Sequence, residues 1–418
     1  MKLFLKLLFL TGALFVVGGC SLFHSSADLI TPPQLPLAKE EIRMAIEKYL
    51  PENVEILTPL NNQAGSQIEL IDLDGDQVDE AVVFYRPQQQ SDIIKGVVLK
   101  DNNGWTKVMD IDGEGKILVD LVFYDLNQDG TLEILAGFAY SEDSEDYGLL
   151  VYDISSGSEP KVLLDKPYSH FLVDQFFDDK NSLVLIKFTK GKQNTVYLYE
   201  NHKTDMIVQD QLELDSYING YYSYQSGQLT NTEYGLMLDA GIGAHSAQTF
   251  IISIKNGKLT NIFTGTDDPT FKASAVISND TNNDGILEYG VLEEPYMEEP
   301  LPYATTPYIT VHYQLNDSWK SEVVSKAYYD YEHLFRVDIP LEWPRIQIDR
   351  SDDRRYLEIK PAGTDTVFFD VYITRNKKPS GNDWYTLAET DDFVYLTKTT
   401  KNNNRQLFHL IEPLDFIN

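Results

Sequence analysis

Three acidic segments of one spacing recur along this chain, and each runs directly into a short apolar stretch. They read Asp72-Leu-Asp74-Gly-Asp76-Gln-Val-Asp79-Glu80, Asp125-Leu-Asn127-Gln-Asp129-Gly130-Thr-Leu-Glu133 and Asp280-Thr-Asn282-Asn-Asp284-Gly285-Ile-Leu-Glu288. Oxygen-bearing side chains occupy positions 1, 3, 5 and 9 of each segment. Oxygens so spaced can wrap a hard cation, and Ca²⁺ is the natural candidate. The structural alternative is an acidic turn, because Asp and Gly also make tight turns without a metal. A motif recurring at a fixed period marks stacked units, so the loops bear on architecture as well as chemistry.

The period is regular. From Asp72, steps of 53 residues reach Asp125, Asp178 and Asn231, and Asp280 lies 49 further on. Five repeats are therefore expected, with the third and fourth loops degraded. Lys180 falls at position 3 of the third, where it would repel a cation. The fourth keeps only Asn231, Glu233, Gly235 and Asp239. Each repeat also carries a polar turn followed by a short apolar run, such as Asn103-Gly104-Trp105 before Val108-Met109 and Asn256-Gly257-Lys258 before Ile262-Phe263. Four short strands per repeat follow from this. In the first they span 68–73, 81–86, 93–100 and 105–111. Four antiparallel strands in about 50 residues is the content of a propeller blade. A large β-sandwich is the rival architecture.

These loops are not EF-hands. An EF-hand requires Glu at position 12 and a following helix, whereas position 12 here is Val83, Ala136 or Val291 and a strand-like run follows. An acid at position 9 feeding a strand resembles the calcium loop of the FG-GAP/VCBS repeat family of integrin-type β-propellers, over roughly residues 60–325. The resemblance implies a propeller-like domain whose structural Ca²⁺ is held by Asp72, Asp74, Asp76 and Glu80, by Asp125, Asn127, Asp129 and Glu133, and by Asp280, Asn282, Asp284 and Glu288.

The ends of the chain read differently. Lys2 and Lys6 precede an apolar run that is too short to span a bilayer. Val17-Gly18-Gly19-Cys20 then resembles the lipobox of bacterial lipoproteins, and Cys20 is the sole cysteine. The expectation is a lipoprotein signal peptide over 1–19, with palmitate-type lipidation at Cys20. A Pro-rich tether covers 20–37, and the protein sits at the extracytoplasmic face of a cell membrane. A formal net charge of −31 argues against nucleic acid and anionic headgroups as partners, leaving the lipid anchor as the membrane contact.

Residues 38–50 read as a helix with Ile42, Ala45, Ile46, Tyr49 and Leu50 on one face and Pro51 at its end. The repeat domain is expected over 38–329. Beyond 330 the acidic loops stop and basic residues cluster (Arg345, Arg350, Arg354, Arg355, Arg375, Lys377 and Lys378). Strand-like runs span 334–339, 356–359, 367–373, 393–397 and 407–411, with a short helix at 383–389. Residues 335–343 resemble the opening of small α/β domains of the PsbP/Mog1 type, so a separate domain is expected over 330–418.

Catalytic patterns are sparse. The sequence has no H-E-x-x-H and no G-x-S-x-G, and its seven histidines are scattered without ligand spacing. Glu293-Glu294 and Glu298-Glu299 could supply a carboxylate pair for glycan hydrolysis, but they lie in a Pro- and Tyr-rich insertion that reads as a solvated loop. Tyrosines in or near predicted loops (140, 147, 217, 221, 222, 224, 296, 303 and 308) suit sugar or protein binding as well as they suit packing. The favoured expectation is non-catalytic binding of an envelope protein or glycan. The alternatives are a glycan-active hydrolase and a solute-binding lipoprotein; the latter is disfavoured by the lack of a βαβ pattern.

Overall fold

The computed structural model describes residues 37–411, apart from 62–65, 89–92, 142–143, 145–146, 158, 178–179, 203–204, 266–267, 376–382 and 400–401. The expected signal peptide, Cys20, the tether up to residue 36, Asp178, Lys377 and Lys378 lie outside the described residues. No helix among the described residues is long and apolar enough to cross a membrane.

The described residues are mainly β and form six antiparallel sheets, in sequence order except that the last strand returns to the fifth. Sheet A holds β1 (Val54–Ile56), β2 (Glu69–Ile71), β3 (Glu80–Pro87), β4 (Lys95–Asp101) and β5 (Trp105–Asp112). Sheet B holds β6 (Ile117–Tyr124), β7 (Glu133–Ala139), β8 (Tyr147–Asp153) and β9 (Lys161–Tyr168). Sheet C holds β10 (His170–Phe177), β11 (Lys180–Thr189), β12 (Gln193–His202) and β13 (Asp205–Glu213). Sheet D holds β14 (Gly220–Gln228), β15 (Tyr234–Gly241), β16 (Ala247–Lys255) and β17 (Lys258–Asn261). Sheet E begins with β18 (Glu288–Glu293), β19 (Ile309–Leu315), β20 (Ser321–Asp330) and β21 (Phe335–Asp338), and is completed by β27 (Phe408–Leu410). Sheet F holds β22 (Ile346–Arg350), β23 (Tyr356–Pro361), β24 (Phe369–Thr374), β25 (Tyr385–Glu389) and β26 (Val394–Thr397).

The strand period of two explains how the sheets stack. In β3, Val82 and Phe84 pack with Ile134, Ala136 and Phe138 of β7, while Ala81 and Val83 face the other way. In β7, Leu135 shares a core with Leu183 and Leu185 of β11. In β11, Val184 and Ile186 meet Leu236 and Leu238 of β15. Met237 of β15 then joins Val311, Phe335, Ile359 and Phe369 in one core across sheets D, E and F. Middle strands are thus buried on both faces, so they read as continuous apolar runs rather than alternating ones.

The two ends of the stack are finished differently. Helix α1 (Leu37–Tyr49) lays Ile42 and Ile46, one turn apart, on Ala81, Val83, Val97 and Leu99 of sheet A. At the far end, Lys360 bridges Asp349 and Glu358 at 2.9 Å each on a polar face of sheet F. Array proteins need polar or covered ends of this kind to stay soluble.

Five sheets begin within the 38–329 repeat region, and residues 346–397 add a sixth antiparallel meander. Two expectations are corrected. The short helix expected at 383–389 is strand β25, which pairs with β26; cross-strand pairing outweighs the weak helical preference of Leu387-Ala388-Glu389. Beyond residue 330 the only described helix is α2 (Asn402–Arg405), of four residues. The boundary expected at 330 also falls inside sheet E. Strand β21 pairs with β20 across it, β27 pairs with β21, and the core of sheet E is continuous with that of sheet F.

Candidate functional site

The three acidic loops adopt one backbone design. Each leads into the strand that begins at its position-9 acid: Glu80 for β3, Glu133 for β7 and Glu288 for β18. The position-1 aspartate accepts two backbone N–H groups from across the turn. Asp125 accepts from Asp129 at 3.1 Å and Gly130 at 3.0 Å, and Asp280 accepts from Asp284 at 3.1 Å and Gly285 at 2.9 Å. Asp72 accepts from Gly75 at 2.8 Å and Gln77 at 2.9 Å. The position-9 glutamate reaches back to the N–H of position 2, which is Leu73 (2.8 Å), Leu126 (2.7 Å) or Thr281 (2.7 Å). These side chains replace backbone partners locally, as Asx turns do, so the loop shape is encoded within nine residues.

Positions 4 and 6 are left-handed in every loop. They are Gly75 and Gln77 (φ 75° and 71°), Gln128 and Gly130 (59° and 90°), and Asn283 and Gly285 (59° and 88°). Glycine occupies one of the two each time, and loop one has it at the opposite position from the others.

In loops one and five, three of the acids that the spacing singled out gather, whereas Asp125, Asp129 and Glu133 of loop two form no such group and Asp76 stands outside that of loop one. One carboxylate oxygen from each of Asp72, Asp74 and Glu80 lies within 4.8 Å of the other two, and the same holds for Asp280, Asp284 and Glu288. The buried Glu133 of loop two takes a hydrogen bond from Asn127 Nδ2 at 2.7 Å. Burial, then the charges of Asp125, Asp129 and Asp153, push Glu133 up to about 7 against the pull of the Leu126 N–H. Burial likewise raises Glu288, with Asp284 and Asp280 adding to the effect and Thr281 opposing it. Both carboxylates thus favour either a proton or a cation at hand. The side-chain oxygens of loop two (Asp125, Asn127, Asp129 and Glu133) and of loop five are of the donor type that Ca²⁺ takes.

The residue that spacing arguments missed is the one opposite position 9 on the next strand. Glu80 pairs with Lys100, and Glu288 pairs with Gln314. Lys100 Nζ lies 2.5 Å from Asp74, 2.7 Å from Asp76 and 2.9 Å from Glu80. Burial works against its charge, but hydrogen bonds to the three acids prevail and raise its pKa well above the ordinary lysine value. Asp76 is correspondingly lowered, mainly by its hydrogen bond to Lys100. Gln314 instead donates to Asp284 at 2.7 Å. Counting from the polar turn of each hairpin would have found these partners.

The degraded loops are also clarified. Asp239, expected at position 9 of the fourth loop, lies inside strand β15 with its side chain fully buried. There it accepts from Lys272 Nζ (2.8 Å), Thr249 Oγ1 (2.6 Å) and Ser278 N (2.7 Å). Glu233 holds the loop position in its place, paired with Lys255. In the third, Lys180 pairs with Glu200 at 2.6 Å.

A second feature is a cleft of about 1300 Å³ beside loop five. Its walls include Tyr222, Tyr303, Tyr308, Tyr329, Tyr331 and Lys326. Tyr222, Tyr303 and Tyr331 are 37%, 43% and 58% exposed. The expected tyrosines therefore divide. Tyr222, Tyr303 and Tyr308 line this cleft, Tyr221 and Tyr224 pack against His170, and Tyr140 and Tyr217 stand exposed elsewhere. In the cleft wall, His312 Nδ1 lies 3.0 Å from Ser325 Oγ. Burial and the Lys272 charge push that imidazole down to about 4, which makes it a weak base at neutral pH. Of the carboxylate candidates, Glu294, Glu298 and Glu299 are exposed, and Glu293 accepts from Tyr313.

Compared with known proteins, the chain matches no family model and no curated protein.

Proposed function

We propose that the protein is a lipid-anchored extracytoplasmic binding protein, its six sheets forming a propeller-like array of the FG-GAP/VCBS type, with Ca²⁺ held in acidic loops as a structural ion. The array presents the tyrosine-walled cleft to an envelope protein or glycan, which it binds without chemistry. The cleft is the observation that carries this reading. Clefts that hold ligands combine apolar and aromatic walls with a few placed polar groups, and three cleft tyrosines stay exposed although every sheet has a core to offer them. The weak His312 base and the exposed glutamates give hydrolysis less support.

The test is capture from intact envelopes with the full chain. A saturable partner should be retained, and Tyr303→Ala/Tyr331→Ala should lower its retention at least tenfold. Tyr217→Ala, at a tyrosine 76% exposed and outside the cleft walls, should leave retention unchanged. Equal capture by both variants would move the site elsewhere.

A further inference from the structure

The loops share a backbone and an acid pattern but meet different partners across the hairpin. The position opposite the ninth residue is Lys100 in loop one and Gln314 in loop five. In loop two the register sets Ile134 against Tyr152, so Glu133 faces Asp153. In the degraded fourth loop, Glu233 meets Lys255. Where the partner is lysine, its ammonium sits on the acids. In loop five an amide takes that place, Gln314 donating to Asp284.

We propose that loop one carries its own cation: the Lys100 ammonium takes the place of a divalent ion among Asp74, Asp76 and Glu80, so the chain binds Ca²⁺ at loops two and five only. The proposal rests on reading those two loops as Ca²⁺ sites, and it departs from the resemblance, which implies an ion in all three.

The argument is one of competition. An ammonium at 2.5–2.9 Å from three carboxylates pairs with all three charges at once and hydrogen-bonds Asp74. It is tethered to the strand beside the loop, so its effective concentration there far exceeds that of a free ion at the weak affinities of extracellular calcium modules. The Lys100 side chain is 15% exposed and Glu80 is 3% exposed, so admitting a metal would require moving a lysine that strand pairing holds in place. Loop five offers the natural control, because Gln314 supplies a neutral amide from the same register.

Titration calorimetry of the full chain in detergent with Ca²⁺ alone decides the point. The wild type should take up two ions, and Lys100→Gln, which copies loop five, should take up three. The converse change, Gln314→Lys, should reduce uptake from two to one, and it guards against misfolding of the first variant. Three ions in the wild type would overturn the proposal, as would a folded Lys100→Gln that binds no more than the wild type. If the wild type binds none and Lys100→Gln binds one, the lysine's role stands while the reading of loops two and five fails.

Discussion

Two lysines in this protein neutralise acids, and their surroundings make them opposites. Lys100 lies at the rim of sheet A, facing three carboxylates of which Asp74 and Asp76 are about half exposed. Lys272 lies in the segment before sheet E, its side chain fully buried against Asp239. Burial pushes Lys272 below the ordinary lysine value despite Asp239, whereas hydrogen bonds to its acids raise Lys100. Desolvation decides the first and partner count decides the second. The rim lysine therefore serves as a counter-charge at a solvent-edged acid cluster, while the core lysine is a fastener. Lys272 also donates to Val276 O at 2.5 Å, and Asp239 accepts from Ser278 N. Together they pin residues 272–278, which supply part of the cleft wall.

The largest effect should come from cutting the fastener. Lys272→Met strands a buried carboxylate, and it should cost about 3–5 kcal/mol in urea denaturation. Lys100→Met, measured alongside in metal-free buffer, should cost only about 1 kcal/mol and should matter less as salt rises. Equal losses would erase the contrast between rim and core. Faster hydrogen exchange at Ser278 in Lys272→Met would tie the pair to the cleft wall.

Loop two sharpens the contrast, because there the register sets Asp153 rather than a lysine across from the acid. Glu133 is 1% exposed and its folded pKa of about 7 lies above the ordinary glutamate value of 4.5. A raised carboxyl means the fold prefers the protonated form. That contribution is complete below pH 4.5 and is lost as pH rises through 7. Without metal, Glu133→Gln should therefore be more stable than the wild type at pH 8, by on the order of 2 kcal/mol, with no advantage at pH 4. Added Ca²⁺ should favour the wild type instead, since the amide is the poorer ligand. Thermal melts at the two pH values, with and without Ca²⁺, read this directly.

The smallest effect lies in the backbone of loop one. Gln77 sits at φ 71° where loops two and five place glycine. A side chain in that conformation costs roughly 1 kcal/mol, so Gln77→Gly should raise stability by up to that amount. No gain in the melting temperature would mean that the loops differ in more than their cross-strand partner.

Much of this was legible in the linear chain, and the physical reason is locality. The acidic loops are closed by hydrogen bonds between residues two to seven apart, so nine residues suffice to specify them. The four strands expected in the first repeat correspond to β2 to β5 within about two residues, because apolar runs bounded by Asn-Gly and Asp-Gly turns have few alternatives. The helix at 38–50 appears as Leu37–Tyr49, stopped by Pro51.

What failed to show was non-local. The runs at 356–359, 367–373 and 393–397 show in the chain but their pairing into one sheet does not, and β25 becomes a strand only because β26 lies beside it. The separation expected at 330 gave way because β21 carries the same apolar alternation as the strands before it and pairs with them. The sequence by itself determined the loop geometry and the strand content, since each depends on neighbours along the chain. Only the tertiary structure decided that Lys100 meets three acids, that Lys272 is buried with Asp239, and that a tyrosine-walled cleft stands beside loop five. Each of those depends on hairpin register and on which sheet packs against which, and neither is recorded in local spacing.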